Sequence, residues 1–328
     1  NLLSNVRQIE ASMAGSLPGP GAVMVAPLPL YHIYAFTLNF LATLACGHHA
    51  LLIPNPRDSK SFIRALRNVR MQGFVGISTL YGNLLEKPGF RTLDFSSLSV
   101  ATSGGMALSP QVGAAWGELT GTPILEGYGL TECSPLVSCN THRQYRAGTV
   151  GKPIANTHVK LQTAEGGDAI LGEPGEICVK GPQVMQGYWN NPAETAQVLD
   201  EDGWLHTGDI GVLDADGFLK VVDRLKDMIV VSGFNVYPNE IEDFVCTHPA
   251  IRDACVVAGG SELAPVIQLY VVSSDASLTA EVLLEYCRRG LTPYKVPRFI
   301  EFRTALPKSS LGKVLRRQLR PAALHPDN

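Results

Sequence analysis

Short apolar runs alternate with longer amphipathic stretches from residue 23 onward. The apolar runs are VMVAPL, ALLIP, GFVGIS, LSVATSGG and PILEGYG, and the stretches between them include Ile33 to Cys46 and Ser59 to Met71. A further helix is predicted after Ser109 and Pro110, because serine suits an N-cap and proline suits the first helical turn. Strands that alternate with helices are typical of a layered sheet. The pattern therefore predicts an α/β fold for the first part of the chain.

The pattern changes twice after about residue 150. Between roughly 150 and 222, glycine-rich turns separate short strands (HVKLQT, GEICVKG, FLKVVD), which favours a small β-barrel or β-sheet subdomain. From about 224, the strands DMIVV, ACVVA, VIQLYVVS and RFIEF alternate with helices that begin at Tyr237-Pro238 and near Ala280. We therefore predict a partial, layered α/β domain over 1–223 with a β-rich subdomain, and a small α+β lid domain over 224–328.

The region from residue 11 to residue 56 contains no Asp, Glu, Lys or Arg. Within it, the span from Ile33 to Cys46 is interrupted by Thr37, Asn39 and Thr43, and it is shorter than the roughly 20 residues that cross a bilayer. We predict a buried core helix here rather than a membrane span. The start of the chain also lacks the basic and apolar segments of a signal peptide.

Charge and cysteine content indicate small-molecule partners and a reducing compartment. The chain carries 27 Lys and Arg against 30 Asp and Glu, and its basic residues are scattered except for Arg316, Arg317 and Arg320. This distribution predicts no nucleic-acid partner. Seven cysteines without a CxxC pair predict a cytoplasmic location. Peripheral contact with the inner membrane and a homodimer are left open. Cys133 and Cys139 could hold a metal, but small buried side chains are the favoured interpretation.

The strongest candidate chemistry lies between residues 202 and 242. Asp209 follows a glycine in a predicted tight turn, where its carboxylate can accept hydrogen bonds from both hydroxyls of a ribose. Arg224 follows after a predicted hairpin, and the two residues together indicate a nucleotide clamp. His206 is assigned a structural role in positioning the Asp209 turn.

The same run, DGWLHTGDIGVLDADGFLKVVDRLKDMIVVSGFNVYPNEIE, resembles the signature of fatty acyl-CoA synthetases. Further motifs follow in the order of that family: TSGGMAL (102–108), EGYGLTE (126–132), LTPYKVP (291–297) and PKSSLGKVLRR (307–317). The chain is therefore similar to the long-chain fatty-acid CoA ligase branch of the adenylate-forming superfamily, which also holds firefly luciferases and peptide-synthetase adenylation domains.

The resemblance implies that Thr131 and Glu132 supply oxygen atoms for ATP and Mg²⁺. The threonine hydroxyl would reach a phosphate oxygen, and the glutamate carboxylate would hold the metal ion. An ordinary strand-to-loop turn is the alternative interpretation of these two residues.

The resemblance also implies an adenine pocket for ATP and AMP. Tyr128 would offer an aromatic face to the purine, and Gly104, Gly105 and Gly127 belong to the same cofactor-binding set. A core tyrosine and a plain glycine turn are the alternatives.

The family pattern assigns roles in catalysis and CoA binding near the end of the chain. Lys313 matches the near-terminal lysine that stabilises charge between the fatty-acid carboxylate and the α-phosphate. Lys226 occupies the position of the hinge on which the lid turns, and Gly233 and Phe234 would then face the pantetheine arm of CoA. Solvated surface lysines are the alternative for both cations.

Near the start of the chain, Tyr31, His32 and Tyr34 are the candidate acyl-binding residues. His32 would lie near the acyl carboxylate, and the tyrosines would shape the acyl tunnel. A satisfied core histidine is an equal alternative for His32.

The predicted function is the ATP-dependent conversion of a long- or medium-chain fatty acid to acyl-AMP, followed by transfer to CoA. The family's phosphate loop should precede PLYH, but SLPGPG (16–21) carries no lysine and no run of hydroxyls, so a fragment of a longer synthetase is expected. The alternatives are an acyl-AMP ligase that loads a carrier protein and a non-catalytic protein that binds nucleotide or acyl groups.

Overall fold

The structure is a computed structural model that describes residues 1–261, 264–309 and 312–319. Arg320 and the end of the predicted lid domain lie outside these residues. Two compact units are present: a large unit of Asn1–Thr207 with Gly211–Val221, and a small unit of Gly208–Ile210 with Val222–Asn328. The predicted boundary at residue 223 stays a prediction.

The strands and helices follow the order expected of a mixed α/β protein. The strands are β1 Val23–Ala26, β2 His49–Leu52, β3 Gly73–Gly76, β4 Val100–Ser103, β5 Ile124–Gly129, β6 Leu136–Cys139, β7 Lys152–Pro153, β8 His158–Gln162, β9 Gly175–Lys180, β10 Leu205–Leu213, β11 Leu219–Arg224, β12 Ile229–Val231, β13 Phe234–Val236, β14 Ile251–Ser261, β15 Ala264–Ser273 and β16 Phe299–Phe302. The helices are α1 Leu2–Met13, α2 Ile33–Ala35, α3 Thr43–Ala45, α4 Ser59–Leu66, α5 Ser78–Leu85, α6 Pro88–Arg91, α7 Pro110–Thr120, α8 Pro192–Val198, α9 Pro238–Val245 and α10 Ala280–Gly290. Short 3₁₀ turns occupy Thr131–Cys133, Leu225–Asp227, Pro293–Lys295 and Arg316–Gln318.

The main sheet of the large unit has the order β2-β1-β3-β4-β5-β6-β7. Neighbouring strands from β2 to β5 pair in parallel, and β6 and β7 are antiparallel additions at one edge. Strands β3 and β4 are buried along their whole length, as expected for parallel strands that are covered on both faces. The predicted α/β fold is therefore confirmed.

The predicted helix from Ile33 to Cys46 forms, but its middle is a π-helix over Phe36–Ala42 between α2 and α3. Two of the polar interruptions are hydrogen-bonded: the buried Thr37 hydroxyl donates to the Ser134 carbonyl and the Thr43 hydroxyl donates to the Leu38 carbonyl, both at 2.8 Å. In the described part of the chain, every helix is too short or too polar to cross a bilayer. The predicted helix from Ser59 to Met71 is too long, because α4 ends at Leu66 and the chain turns before β3.

The β-rich region forms a sheet with the order β11-β10-β9-β8, so the barrel alternative is not observed. Gly208 lies inside the long strand β10 with a φ of 69°. The tight turn predicted at Asp209 is therefore wrong: the glycine distorts a continuous strand instead of ending it. The predicted hairpin before Arg224 is present as β10 and β11.

The core of the large unit contains an aromatic cluster centred on Trp116, on helix α7. Its indole lies 4.6 Å from the ring of Tyr81 and 5.3 Å from that of Phe74, centroid to centroid, with Phe90 and Phe95 at 6.0 Å. Trp116 has no exposed surface. The cluster fixes helix α7 on strand β3 and on helices α5 and α6, which the sequence pattern had not shown.

The small unit combines the sheet β14-β15-β16 with helices α9 and α10. Strands β12 and β13 form a separate hairpin whose turn residues, Ser232 and Gly233, both have positive φ angles of 51° and 84°. Such a turn matches the twist of paired strands and favours glycine at its second position. The strands and helices predicted for this unit are all present.

A largely buried arginine, Arg316, attaches residues 312–319 to this unit. The Arg316 guanidinium forms an ion pair with Glu242, donates to the Asn239 side chain at 2.6 Å and donates to the Val256 carbonyl at 2.8 Å. Its Nε also lies 3.9 Å from an Asp227 oxygen. Burial raises the pKa of Glu242 and Arg316 opposes that rise. The pair therefore joins helix α9, strand β14 and the 3₁₀ turn Leu225–Asp227.

Replacing Trp116 by alanine should destabilise the large unit by about 3 to 5 kcal/mol, because a fully buried indole leaves a cavity. Trp189 is 91% exposed and provides a matched control, for which the change should stay within about 0.5 kcal/mol. Urea unfolding followed by circular dichroism measures both values. Equal losses for the two variants would contradict the assignment of Trp116 to the core.

Replacing Arg316 by methionine should destabilise the small unit by about 3 to 5 kcal/mol at neutral pH, because Glu242 is left buried without its partner. The double variant Arg316→Met with Glu242→Met should recover most of this loss, and Arg317→Met, at an exposed position, should change little.

The loss in the Arg316→Met variant should also depend on pH. Burial raises the pKa of Glu242, and removing the arginine raises it further. The destabilisation should therefore be small at acidic pH, where the carboxyl is neutral, and should grow as the pH rises through that pKa. Thermal unfolding at several pH values tests this sign, and a loss that grows towards acid would contradict it.

Candidate active site

In the large unit, candidate residues gather where parallel strands end. The Tyr34 hydroxyl lies 3.4 Å from the Gly76 carbonyl oxygen, at the end of β3, and 3.2 Å from the Thr102 hydroxyl on β4. A Cβ on Gly104 would lie 3.3 Å from the Tyr34 ring. The carboxyl ends of strands in open α/β sheets are the usual location of ligands. Tyr34 and Gly104 therefore lie side by side at such an edge.

His32 caps the helix that carries Tyr34. Its Nδ1 accepts a hydrogen bond from the Tyr34 amide at 3.2 Å, so the neutral ring carries its proton on Nε2. Burial lowers the pKa of His32, which favours this neutral form. Nε2–H is thus a donor that could meet a carboxylate. Tyr31, in contrast, is 82% exposed and does not line an enclosed space in this structure.

Glu126 is a site residue that the sequence analysis missed. Its carboxylate accepts a hydrogen bond from the Leu108 amide at 3.3 Å, and burial raises its pKa to about 7 although the Leu108 and Gly148 amides oppose the rise. It directly precedes Gly127, beside the TSGGMAL segment. Glu126 is the first residue of the EGYGLTE motif, and an acidic residue within the apolar run PILEGYG is a further sequence signal for it.

Thr131 and Glu132 lie in the short 3₁₀ turn that follows β5. Thr131 is exposed, and the Glu132 carboxylate accepts a hydrogen bond from the Tyr188 hydroxyl at 2.8 Å. These are hard oxygen donors, one of them accessible and the other held in position, so they fit Mg²⁺ and a phosphate. Tyr188 was also missed, because it is 56 residues away in sequence.

Tyr128 and Gly127 occupy the strand just before that turn. Tyr128 is only 8% exposed, and its ring packs in a core cluster with Cys133 and Val137. This burial fits the core alternative for Tyr128, and stacking on adenine stays a prediction. A Cβ on Gly127 would lie 3.2 Å from Leu136 and 3.3 Å from the Ser138 carbonyl oxygen, so strand pairing already favours glycine there.

Gly105 is the last residue of the predicted adenine set. Gly105 has a φ of 78° and open space around its Cα, so backbone conformation accounts for this glycine.

The two cysteines considered as metal ligands, Cys133 and Cys139, are both buried, and burial raises the pKa of each thiol. Among the described residues, neither belongs to a group of side chains that could hold a metal.

In the small unit, three of the predicted residues lie together. The Arg224 Nε lies 3.2 Å from an Asp209 carboxylate oxygen, and Asp209 is buried whereas Arg224 is partly exposed. Lys313 is close enough to both residues for their charges to act on it. Burial and repulsion from Arg224 lower the pKa of Lys313, and attraction to Asp209 opposes this decrease. The Ser309 amide donates to the Lys313 carbonyl at 2.8 Å.

Lys226 is two residues after Arg224, and its positive charge also helps to lower the pKa of Lys313. Gly233 and Phe234 belong to the β12-β13 hairpin. Lys226 is exposed in the 3₁₀ turn Leu225–Asp227. Gly233 belongs to the β12-β13 turn, so its positive φ gives a local reason for glycine besides close approach of a ligand. Phe234 is 54% exposed and stacks on Tyr294, with ring centroids 4.6 Å apart.

Comparison with known proteins supports the same family. The sequence pattern of the AMP-binding enzyme family matches residues 1–189, and that of the AMP-binding enzyme C-terminal domain matches residues 240–313. Long-chain-fatty-acid--CoA ligases of Escherichia coli O6:H1 and Salmonella typhimurium are 48% and 49% identical to this chain over 98% of its length.

A solved structure, ATP-bound MatB from Rhodopseudomonas palustris, aligns with a TM-score of 0.89 at 27% identity, and the alignment covers 97% of this chain and 63% of that one. The chain spans 58% of the length of the two ligases. With matching patterns over most of its length and the fold of these enzymes, the chain belongs to the AMP-binding enzyme family.

Proposed function

We propose that this chain is part of a long- or medium-chain fatty-acid CoA ligase. The reaction would join a fatty acid to AMP with release of pyrophosphate, and would then transfer the acyl group to CoA with release of AMP. The observation that carries the proposal is the grouping of Lys313 with the Asp209–Arg224 ion pair. The names of the similar ligases supply the fatty acid as the substrate class.

The small unit would bind the nucleotide and support adenylation. The buried Asp209 carboxylate would accept hydrogen bonds from the ribose hydroxyls of ATP, and Arg224 would hold it in position. Lys313 would place a mobile positive charge where the fatty-acid carboxylate attacks the α-phosphorus, and negative charge on the phosphate oxygens would be stabilised as the bond forms.

The large unit would contribute oxygen and imidazole groups. Glu132, oriented by the Tyr188 hydroxyl, would hold Mg²⁺, and Thr131 would donate to a phosphate oxygen. When bound, Mg²⁺ would supply positive charge that neutralises the phosphates. His32, with its proton on Nε2, would donate to the acyl carboxylate, and Tyr34 would contact the start of the acyl chain.

The second half-reaction would need a different set of backbone positions. We keep Lys226 as the proposed hinge, because a single 3₁₀ turn can change its φ and ψ angles without disturbing a packed helix. The β12-β13 turn at Gly233 and the exposed Phe234 would then contact the pantetheine arm of CoA.

The location and assembly of the protein belong to the same proposal. All seven cysteines are free thiols, which supports a reducing compartment such as the cytoplasm. Peripheral contact with the inner membrane and a homodimer stay predictions.

The overall reaction can be tested with the longer protein that contains this chain. AMP release should require ATP, Mg²⁺, palmitate and CoA together. Replacing CoA by a phosphopantetheinylated carrier protein separates a CoA ligase from an acyl-AMP ligase, since only the second would prefer the carrier. Absence of AMP release with every fatty acid and acceptor would refute the proposal.

Lys313→Ala should lower kcat/KM for acyl-AMP formation by roughly 10² to 10³, because one positioned donor for developing charge is lost. Thioester formation from supplied acyl-AMP should be nearly unchanged. Pyrophosphate release measures the first step, and acyl-CoA formation measures the second. Lys308→Ala is the matched control: this lysine is five positions earlier and is paired with Asp253, so its loss should leave both steps intact. Equal loss of both steps in Lys313→Ala would contradict the role.

Tyr188→Phe should raise the Mg²⁺ concentration needed for half-maximal adenylation by about tenfold, because Glu132 loses the group that orients it. The KM for the fatty acid should not change. Tyr286→Phe removes a tyrosine hydroxyl that bonds only Thr247 among the described contacts, and it should leave the Mg²⁺ dependence unaltered. An unchanged Mg²⁺ dependence in Tyr188→Phe would show that this hydroxyl does not position Glu132.

A further inference from the structure

Three side chains of different chemistry meet on one face of the β11-β10-β9-β8 sheet. Glu176 and Cys178 are two residues apart on β9, so they point to the same side, and His206 is on the neighbouring strand β10. One carboxylate oxygen, the thiol sulfur and an imidazole nitrogen all lie within 4.8 Å of one another. None of these residues has a role in the proposed ligase reaction.

We propose that Glu176, Cys178 and His206 form a Zn²⁺ site in the large unit. The His206 Nδ1 lies 3.5 Å from the Cys178 sulfur and 3.3 Å from a Glu176 oxygen. With metal–ligand bonds of about 2.3 Å to sulfur and about 2.0 Å to nitrogen and oxygen, a tetrahedral ion separates sulfur from nitrogen by about 3.5 Å and nitrogen from oxygen by about 3.3 Å. Both distances from His206 Nδ1 therefore already match a tetrahedral ion, and the third pair, sulfur and carboxylate oxygen, lies within 4.8 Å.

The other nitrogen of His206 has the partner that a metal-binding imidazole usually has. Its Nε2 faces an Asp200 carboxylate oxygen at 3.7 Å. This distance is longer than a hydrogen bond, so Nε2–H would have to move closer to Asp200 on metal binding. With that contact made, the proton lies on Nε2 and Nδ1 is the ligand atom. Asp200 is thus a positioning residue, and His206 presents the correct nitrogen to the other two ligands.

The charges around the trio favour a cation. Glu176, Asp200 and Asp168 are the negative groups that act on Cys178, and Lys160 is the positive one. Lys160 is the strand partner of Cys178, and its ammonium lies 4.7 Å from the centre of the Trp204 ring. On binding, Cys178 would lose its proton to solvent and become the thiolate ligand.

The donor set selects the kind of metal. A thiolate and an imidazole suit Zn²⁺, whereas Mg²⁺ and Ca²⁺ prefer oxygen ligands alone. The side chains of His206 and Glu176 are 25% and 19% exposed, so an ion and a water molecule can reach the site. Water would complete the tetrahedron, as it does where a protein supplies three ligands. The same contacts without a metal would form a hydrogen-bonded trio, which the experiment must separate from a metal site.

The test uses the whole chain, stripped of metal by a chelator and then titrated with Zn²⁺ in competition with a chromophoric chelator. One equivalent of Zn²⁺ should bind per chain and raise the thermal unfolding temperature. Co²⁺ in place of Zn²⁺ should give a thiolate-to-metal absorption band together with the visible bands of tetrahedral Co²⁺. The variants His206→Gln and Glu176→Gln should each weaken Zn²⁺ binding by at least about tenfold, and Asp200→Asn should weaken it by about tenfold.

Cys178→Ser should abolish the thiolate band. Because Cys178 is fully buried, this variant could fail to fold, and His206→Gln and Glu176→Gln, at partly exposed positions, then decide the question. Cys46→Ser and His49→Gln are the matched controls, since a thiol and an exposed imidazole are removed outside the β11-β10-β9-β8 sheet that carries the trio. Failure to retain Zn²⁺, or a thiolate band that persists in folded Cys178→Ser, would overturn the proposal and leave the hydrogen-bonded trio. Neither result depends on ligase activity.

Discussion

The largely buried ion pair between Arg316 and Glu242 fixes the position of the C-terminal segment that carries Lys313. Burying either charge alone would cost several kcal/mol. The segment that carries Arg316 is therefore strongly favoured to pack against Glu242. The additional hydrogen bonds from the guanidinium to the Asn239 side chain and the Val256 carbonyl fix its orientation. Lys313 is three residues from this anchor, so its position beside Asp209 and Arg224 is a consequence of the pair.

This arrangement separates a fixed cation from a mobile one. Arginine suits the anchor because its planar guanidinium holds several acceptors at once, whereas lysine suits the proposed transfer step because its ammonium is a compact charge on a flexible stem. Arg316 is largely buried and Lys313 is exposed. A side chain that must move towards developing charge needs a flexible end group and a fixed backbone. The Lys313 side chain provides the flexible ammonium, and Arg316 holds the backbone nearby in place.

The hydrophobic pattern predicted most of the fold because parallel strands buried on both faces read as continuous apolar runs, as in GFVG and VATS. The pattern did not predict elements whose structure depends on contacts between residues far apart in sequence. Helix α1 precedes the first clear alternation, and its buried Asn5 bonds the Leu136 backbone far away in sequence. The candidate site shows the same division between local sequence signals and long-range contacts. Motif residues such as Asp209 and Lys313 could be named from sequence, but Tyr188 and Glu126 became visible only through a long-range contact and through burial.

Gly208 shows how one backbone angle changes the meaning of a motif. A regular strand would point residues 207 and 209 to one face and residues 206 and 208 to the other. With a φ of 69°, Gly208 interrupts that alternation inside β10, at no steric cost because glycine has no Cβ. In the structure His206 lies beside Glu176 and Cys178, and Asp209 lies beside Arg224, on either side of this interruption. Glycine suits the interruption because a residue with a Cβ would be strained at this φ.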